Sequence, residues 1–176
     1  MLVMKFGGTS VGSSGSIRNV ASIVKSNQKR KPVVVVSAVT KMTDALIVLA
    51  NECVMGKDTT LTRIAGTHNT LLTELSLPLS LLEQEFDELK KLAQSTKKSK
   101  KLSPKVLDNF QSFGERMSSK IVAACLNSAG IGAQAYDAWN LGMITTDVFG
   151  NAEPLRTSYA ALGKNIKQLK VIPVIT

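Results

Sequence analysis

The sequence predicts an α/β protein with a mainly parallel sheet sandwiched by helices. Three observations predict it. Short apolar runs, LVMKF, PVVVVSA, IGAQAYDA and VIPVIT, recur along the chain. Segments with apolar residues at helical spacing separate them. The VVVV run has no alternating polar residues, which suits a strand covered on both faces. Strands alternating with helices imply parallel crossovers within one sheet.

The elements follow in order. LVMKF reads as a short buried strand that ends at a glycine turn. GSIRNVASIVKSNQKR then puts Ile17, Val20, Ala21 and Val24 on one helical face. PVVVVSA completes a βαβ unit, and its parallel pairing would set Ser37 beside the Gly7 turn. TKMTDALIVLANECVMG reads as a helix with Thr or Asp chemistry at its start and Gly56 beyond its end. Leu61, Ile64, Ala65, His68, Leu71, Leu72 and Leu75 form an apolar stripe. His68 lies on that stripe and is read as a packed, hydrogen-bonded histidine.

A further helix is expected from Leu79 to Gln94, and the polar QSTKKSKKLSP as a solvated connection. SPKVLDNF starts the next helix, with Ser103 as cap and Pro104 in the first position. SFGERMSS places Gly114 and Glu115 at a helix beginning, and the helical pattern stops at Gly130. The helices between Thr43 and Gly130 are expected to pack over one part of the sheet. ITTDVFGNAEPL reads as irregular or hairpin. TSYAALGKNIKQL reads as a helix with Tyr159, Leu162, Ile166 and Leu169 on one face. VIPVIT is the last strand, so Thr176 falls at a strand's carboxyl end, the edge that carries ligands in open α/β sheets.

A chain of 176 residues is long enough for one domain with a real core. No apolar run approaches the ~20 residues of a membrane span, and the N-terminus lacks signal-peptide character. The reading is a cytoplasmic protein that does not contact membranes. Cys53 and Cys125 are far apart within helical patterns and read as buried thiols. One His and two scattered Cys give no metal-ligand spacing. The net charge is +9, and Lys90, Lys91, Lys97, Lys98, Lys100, Lys101 and Lys105 supply seven of it in one stretch. No aromatic residues interleave there to stack on bases, so no nucleic-acid partner is expected.

The opening KFGGTSVGSSG admits several readings. A Walker loop needs its lysine after the glycines, and here Lys5 precedes them. A dinucleotide fingerprint needs G-x-G-x-x-G, which Gly7, Gly8, Gly12 and Gly15 do not supply. A tight turn with an exposed lysine would need no function. A phosphoryl-transfer turn is also coherent. Gly7 and Gly8 would let a phosphate approach their N–H groups. Thr9 and Ser10 add donors, Lys5 could neutralise phosphate charge, and the next helix would aim its N-terminus at the same place. Taken alone, Glu115 reads as a carboxylate favoured at a helix start.

KFGGTSVGS, VVVVSAVTKMTDAL, SFGERMSS and ITTDVFGNAEPL, in this order, resemble the amino-terminal part of the aspartate kinases, members of the amino-acid kinase superfamily. The segments run from Lys5 to about Leu155, and VIPVIT resembles the family's next core strand. The resemblance implies the amino-acid kinase (carbamate kinase-like) fold, here incomplete, with residues 1–176 as the aspartate-binding side of the kinase domain. It implies that the nucleotide-binding half and the ACT regulatory domains lie outside this chain, and that the chain alone is inactive.

The implied reaction is L-aspartate plus MgATP giving β-aspartyl phosphate plus ADP, the opening step toward lysine, threonine and methionine. By the same resemblance Lys5 is the catalytic, phosphate-contacting lysine, and Gly7 and Gly8 line the transfer site; with the Thr9 and Ser10 donors of the same turn they are the expected phosphate- and ATP-binding residues. Ser37, Thr43 and Glu115 match aspartate-binding positions, with Glu115 facing the α-ammonium. The complete enzyme would use ATP and Mg2+ and form a homo-oligomer. The nucleophile would be the substrate's own carboxylate, ionised above a pKa of ~4, so no protein base is needed. Two rival readings remain: a kinase for another acidic small molecule such as glutamate, and a non-enzymatic binding module on the same fold.

Overall fold

The computed structural model describes all residues, Met1–Thr176. Four strands, β1 (Val3–Phe6), β2 (Val33–Val36), β3 (Ala133–Tyr136) and β4 (Ile172–Ile175), form one parallel sheet in the order β1-β2-β4-β3. Six α-helices connect them: α1 (Ser14–Ser26), α2 (Met42–Val54), α3 (Thr59–Glu74), α4 (Glu83–Ser99), α5 (Pro104–Ser128) and α6 (Arg156–Gln168). Successive strand residues face opposite sides of the sheet. Met4, Phe6, Val34, Val36 and Val174 face the main core, shared with α1, α2, α3, α4 and α5. Val33, Val35 and Ile175 face the other side, where Leu162, Ile166 and Leu169 of the α6 region cover them. The sheet is therefore sandwiched as expected, thickly on one face and by a single helix on the other.

That single helix does not extend over β1. Val3 is 55% exposed and Lys5 is exposed beside it on the same face. Tyr159, expected on the buried face of α6, is 63% exposed, and the buried polar residue of that helix is Ser158. The Ser158 hydroxyl instead ties α6 to the preceding irregular segment, donating to the Ile144 carbonyl and accepting from its N–H, both at 2.7 Å. That segment makes one antiparallel bridge, Thr145 to Pro154.

Three boundaries differ from the sequence reading. The α4 helix runs to Ser99, so only the residues around Lys100–Ser103 form the connection. Lysine is a good helix former, and Lys97 and Lys98 in the last turn suit the helix dipole. Lys97 also pairs with Asp58 at 3.2 Å. The α5 helix is one unbroken element, so Gly114 and Glu115 sit in its middle and not at a beginning. Helix α2 has no side-chain cap, and Lys41, at φ 63°, precedes it in the left-handed region; the acidic residue expected at its start is Asp44, in the first turn. The caps read at Ser103 and Gly56 are present: Ser103 Oγ accepts from Val106 N–H at 3.3 Å, and Gly56 has φ 80°.

Both cysteines are buried, and burial pushes the Cys53 thiol up to about 11 and Cys125 up as well. His68 is packed as expected. Its Nδ1 donates to the Ile64 carbonyl at 2.9 Å and its ring meets Phe86 edge-on at 5.9 Å. Burial holds this imidazole below the ordinary 6.5. Below 6.5 the unfolded chain therefore binds a proton that the folded chain resists. Stability is full above that pH and falls as pH drops through it toward the folded value. Equilibrium unfolding should show this acid loss, and His68→Leu should flatten the profile below 6.5. An unchanged slope in that variant would contradict the assignment.

Candidate functional site

The site is built where β1 and β2 end. Parallel pairing of Phe6 with Val36 brings the two following turns together, and Ser37 N–H donates to the Phe6 carbonyl at 3.0 Å. After β1 the chain forms a 3-10 turn, Gly8–Val11, and α1 begins only at Ser14 under its own Ser13 cap. The expected helix N-terminus is thus not at the glycine pair; the turn intervenes because Ser10 N–H bonds back to the Gly7 carbonyl at 2.9 Å.

A cleft of about 380 Å3 opens at this edge, lined by Gly8, Ser37, Ala38, Val39, Thr40, Lys41, Thr43, Asp44 and Glu115. Four of the residues singled out in the sequence, Gly8, Ser37, Thr43 and Glu115, meet there. Lys5, Gly7, Thr9 and Ser10 do not line it. They lie in β1 and the turn that borders it. Lys5 is in none of the molecule's ion pairs. At Gly7 an added Cβ would meet nothing within 4 Å and φ is −76°, so neither packing nor backbone demands glycine there.

Glu115 reaches the cleft from mid-helix. Its Oε1 accepts from Ala38 N–H at 3.1 Å, across the β2–α2 turn. Gly114 makes that approach feasible. A Cβ on Gly114 would sit 2.7 Å from Ala38 Cβ and 3.5 Å from Leu46 Cδ1. A charge cluster behind Glu115 fixes the rotation of α5. Arg116 Nη2 donates to Glu88 Oε2 at 2.6 Å, and Arg116 Nε lies 3.7 Å from Asp137 Oδ2. Its guanidinium also lies 4.6 Å from the Phe113 ring centroid. Lys120 pairs with the buried Glu85 at 2.5 Å. Hydrogen bonding from Arg116 holds the Glu88 carboxyl below the usual range, whereas burial pushes Asp137 up against the pull of Arg116.

The sequence reading missed Gly12, Ala38, Thr40, Lys41 and Asp44. Thr40 Oγ1 donates to the Gly8 carbonyl at 2.8 Å, joining the two turns. A Cβ on Gly12 would lie 2.2 Å from that hydroxyl. The only local signal was the glycine spacing in GGTSVG. A larger cavity, about 780 Å3, is at the opposite edge, lined by strand starts with Arg30, Lys31, Lys167 and Lys170. Helices α1 and α6 end near that edge, and cations there complement their C-terminal carbonyls.

No helix is long and apolar enough to cross a membrane. The sequence model of the amino acid kinase family matches residues 1–176. The chain belongs to the amino acid kinase family. Among its relatives, Aspartokinase 3, chloroplastic, of Arabidopsis thaliana is 35% identical over 99% of this chain and 33% of its own length. Aspartokinase 3 of Bacillus subtilis is 31% identical over 92% of this chain and 37% of its own length. The fold matches E. coli aspartokinase III in complex with aspartate and ADP at TM-score 0.82 and 28% identity, covering 99% of this chain and 40% of that one. This kinase-family chain therefore spans about a third of the length of the curated relatives it matches.

Proposed function

We propose that this chain is the amino-acid-substrate side of an aspartate kinase, which transfers the γ-phosphoryl group of ATP to the β-carboxylate of L-aspartate. The products are β-aspartyl phosphate and ADP, opening the route to lysine, threonine and methionine. The observation that carries the reading is the meeting of Gly8, Ser37, Thr43 and Glu115 in one cleft at the carboxyl edge of the sheet. The aspartokinase relatives and the solved aspartokinase with aspartate and ADP support it.

In this reading Glu115 and Asp44 suit the substrate's ammonium group, and the Ser37 and Thr43 hydroxyls suit its carboxylates. Lys5 lies at the neighbouring turn, where it would offset charge on the transferring phosphoryl oxygens. Gly7, Gly8, Thr9 and Ser10 form a backbone that admits a phosphate: glycine at 7 faces open space on the protein side. No group of three or more His, Cys, Asp or Glu side chains lies together as a metal cage, and Mg2+ characteristically takes substrate phosphate oxygens with only one or two carboxylates. The proposal leaves Mg2+ with the nucleotide phosphates. The nucleotide half and ACT regulation belong, in this proposal, to further sequence of a homo-oligomeric enzyme working in the cytoplasm, and the chain alone is inactive.

Glu115→Gln tests the assignment cleanly. The amide oxygen keeps an acceptor for Ala38 N–H, and only the charge is lost. Aspartate affinity, measured by calorimetry on the complete protein, should fall roughly tenfold to a hundredfold, since a charged hydrogen bond contributes about 1.5–3 kcal/mol. Unchanged affinity would remove Glu115 from the substrate site.

A further inference from the structure

We infer that Thr40 is a positioning residue, whose hydroxyl fixes the distance between the phosphate-side turn and the substrate cleft. The inference rests on the aspartate kinase reading and adds a residue to it. Gly8 is the one phosphate-side residue that also lines the cleft. Its carbonyl is the group that Thr40 Oγ1 holds, at 2.8 Å and across 32 positions of sequence. The two turns touch at two further points. A Cβ on Gly8 would come within 3.0 Å of the Ala38 carbonyl oxygen. A Cβ on Gly12 would overlap the Thr40 hydroxyl at 2.2 Å and sit 3.1 Å from Thr40 Cβ. Gly12 has φ −82°, which any residue adopts, so packing calls for glycine there: first the Thr40 hydroxyl, then the Gly8 carbonyl oxygen, 3.0 Å from the added Cβ.

The bond is solvent-exposed, so its share of global stability is small. Its value lies in geometry. In-line transfer between two bound anions needs the reacting atoms about 3–3.5 Å apart, and a misplacement of ~1 Å can cost about a hundredfold. Thr40 lines the cleft, and its hydroxyl, committed to the Gly8 carbonyl, acts on that distance by setting the spacing of the two turns.

The test uses the complete protein as its gene encodes it. Thr40→Val keeps the shape and removes the hydroxyl. It should lower kcat about tenfold with little change in KM for aspartate, and Thr40→Ser should recover most of the loss. Gly12→Ala should reproduce the defect by displacing the hydroxyl. Gly12→Ala combined with Thr40→Ala should cost clearly less than the sum of the two single changes, the non-additivity expected of a shared contact. A Thr40→Val enzyme with wild-type kcat, or full additivity of the two changes, overturns the inference and leaves the aspartate kinase reading standing. A wild-type protein that does not phosphorylate aspartate overturns that reading instead. Amide hydrogen exchange over residues 7–12 then judges Thr40: faster exchange in Thr40→Val supports its hold on the turn, and unchanged exchange overturns it.

Discussion

Replacing Lys5 by alanine is expected to remove most phosphoryl transfer while leaving aspartate affinity largely intact. Lys5 stands near the end of β1, paired in register with Val35, on the sheet face that α6 leaves uncovered. Met4 and Phe6, its neighbours in sequence, pack on the main core, so alternation along the strand fixes the side from which the lysine works. It is outside every ion pair, and it does not line the cleft of Ser37, Thr43 and Glu115. A cation placed for the phosphoryl group and not for aspartate should affect kcat. Loss of one such group costs about 10²–10³-fold. Steady-state kinetics with calorimetric aspartate binding separate the two effects. Unchanged turnover would remove the catalytic assignment, and a loss confined to aspartate affinity would move Lys5 to the substrate side.

The second large effect is expected at Gly114. Glycine within a helix is worse than alanine by about 1 kcal/mol, so on local grounds Gly114→Ala should stabilise α5. The packing argues the opposite. The new methyl would lie 2.7 Å from Ala38 Cβ, an atom fixed to the backbone that cannot swing away. Overpacking of this kind costs about 1–3 kcal/mol, which outweighs the propensity gain. Equilibrium unfolding of Gly114→Ala should therefore show a net loss, and Gly114→Val a larger one. The displaced helix should also stretch the Glu115 bond to Ala38 N–H and weaken aspartate binding. Adding Ala38→Gly should recover part of both losses. A stability gain in Gly114→Ala would contradict the close approach of α5 to the β2–α2 turn.

The strands were legible in the sequence because β-branched runs such as Val33–Val36 have few other ways to be buried. The parallel direction of the strands followed from the helices between them, and the first βαβ unit gave the meeting of Ser37 with the glycine turn; the order β1-β2-β4-β3 did not follow from it. What was not legible depended on contacts between distant residues. The apparent helix start at Gly114 was a packing glycine, and its partner Ala38 is far away in sequence. The bond from Thr40 to Gly8 and the clearance at Gly12 have the same origin. Polarity misled at α4, where lysines read as a loop extend a helix until Lys100 turns left-handed at φ 53°. At α6 the stripe was right for Leu162, Ile166 and Leu169, but Tyr159 lies off the covered part of the face. The phosphate-side residues Lys5, Gly7, Thr9 and Ser10 were singled out by a motif and a family resemblance, and their roles rest on the proposal.

The most direct measurement is formation of an acyl phosphate by the complete protein, trapped as the hydroxamate, with L-aspartate and L-glutamate compared under identical MgATP. An ATP-dependent aspartyl hydroxamate is expected, with little product from glutamate. No hydroxamate from aspartate, or equal product from glutamate, would contradict the aspartate kinase reading.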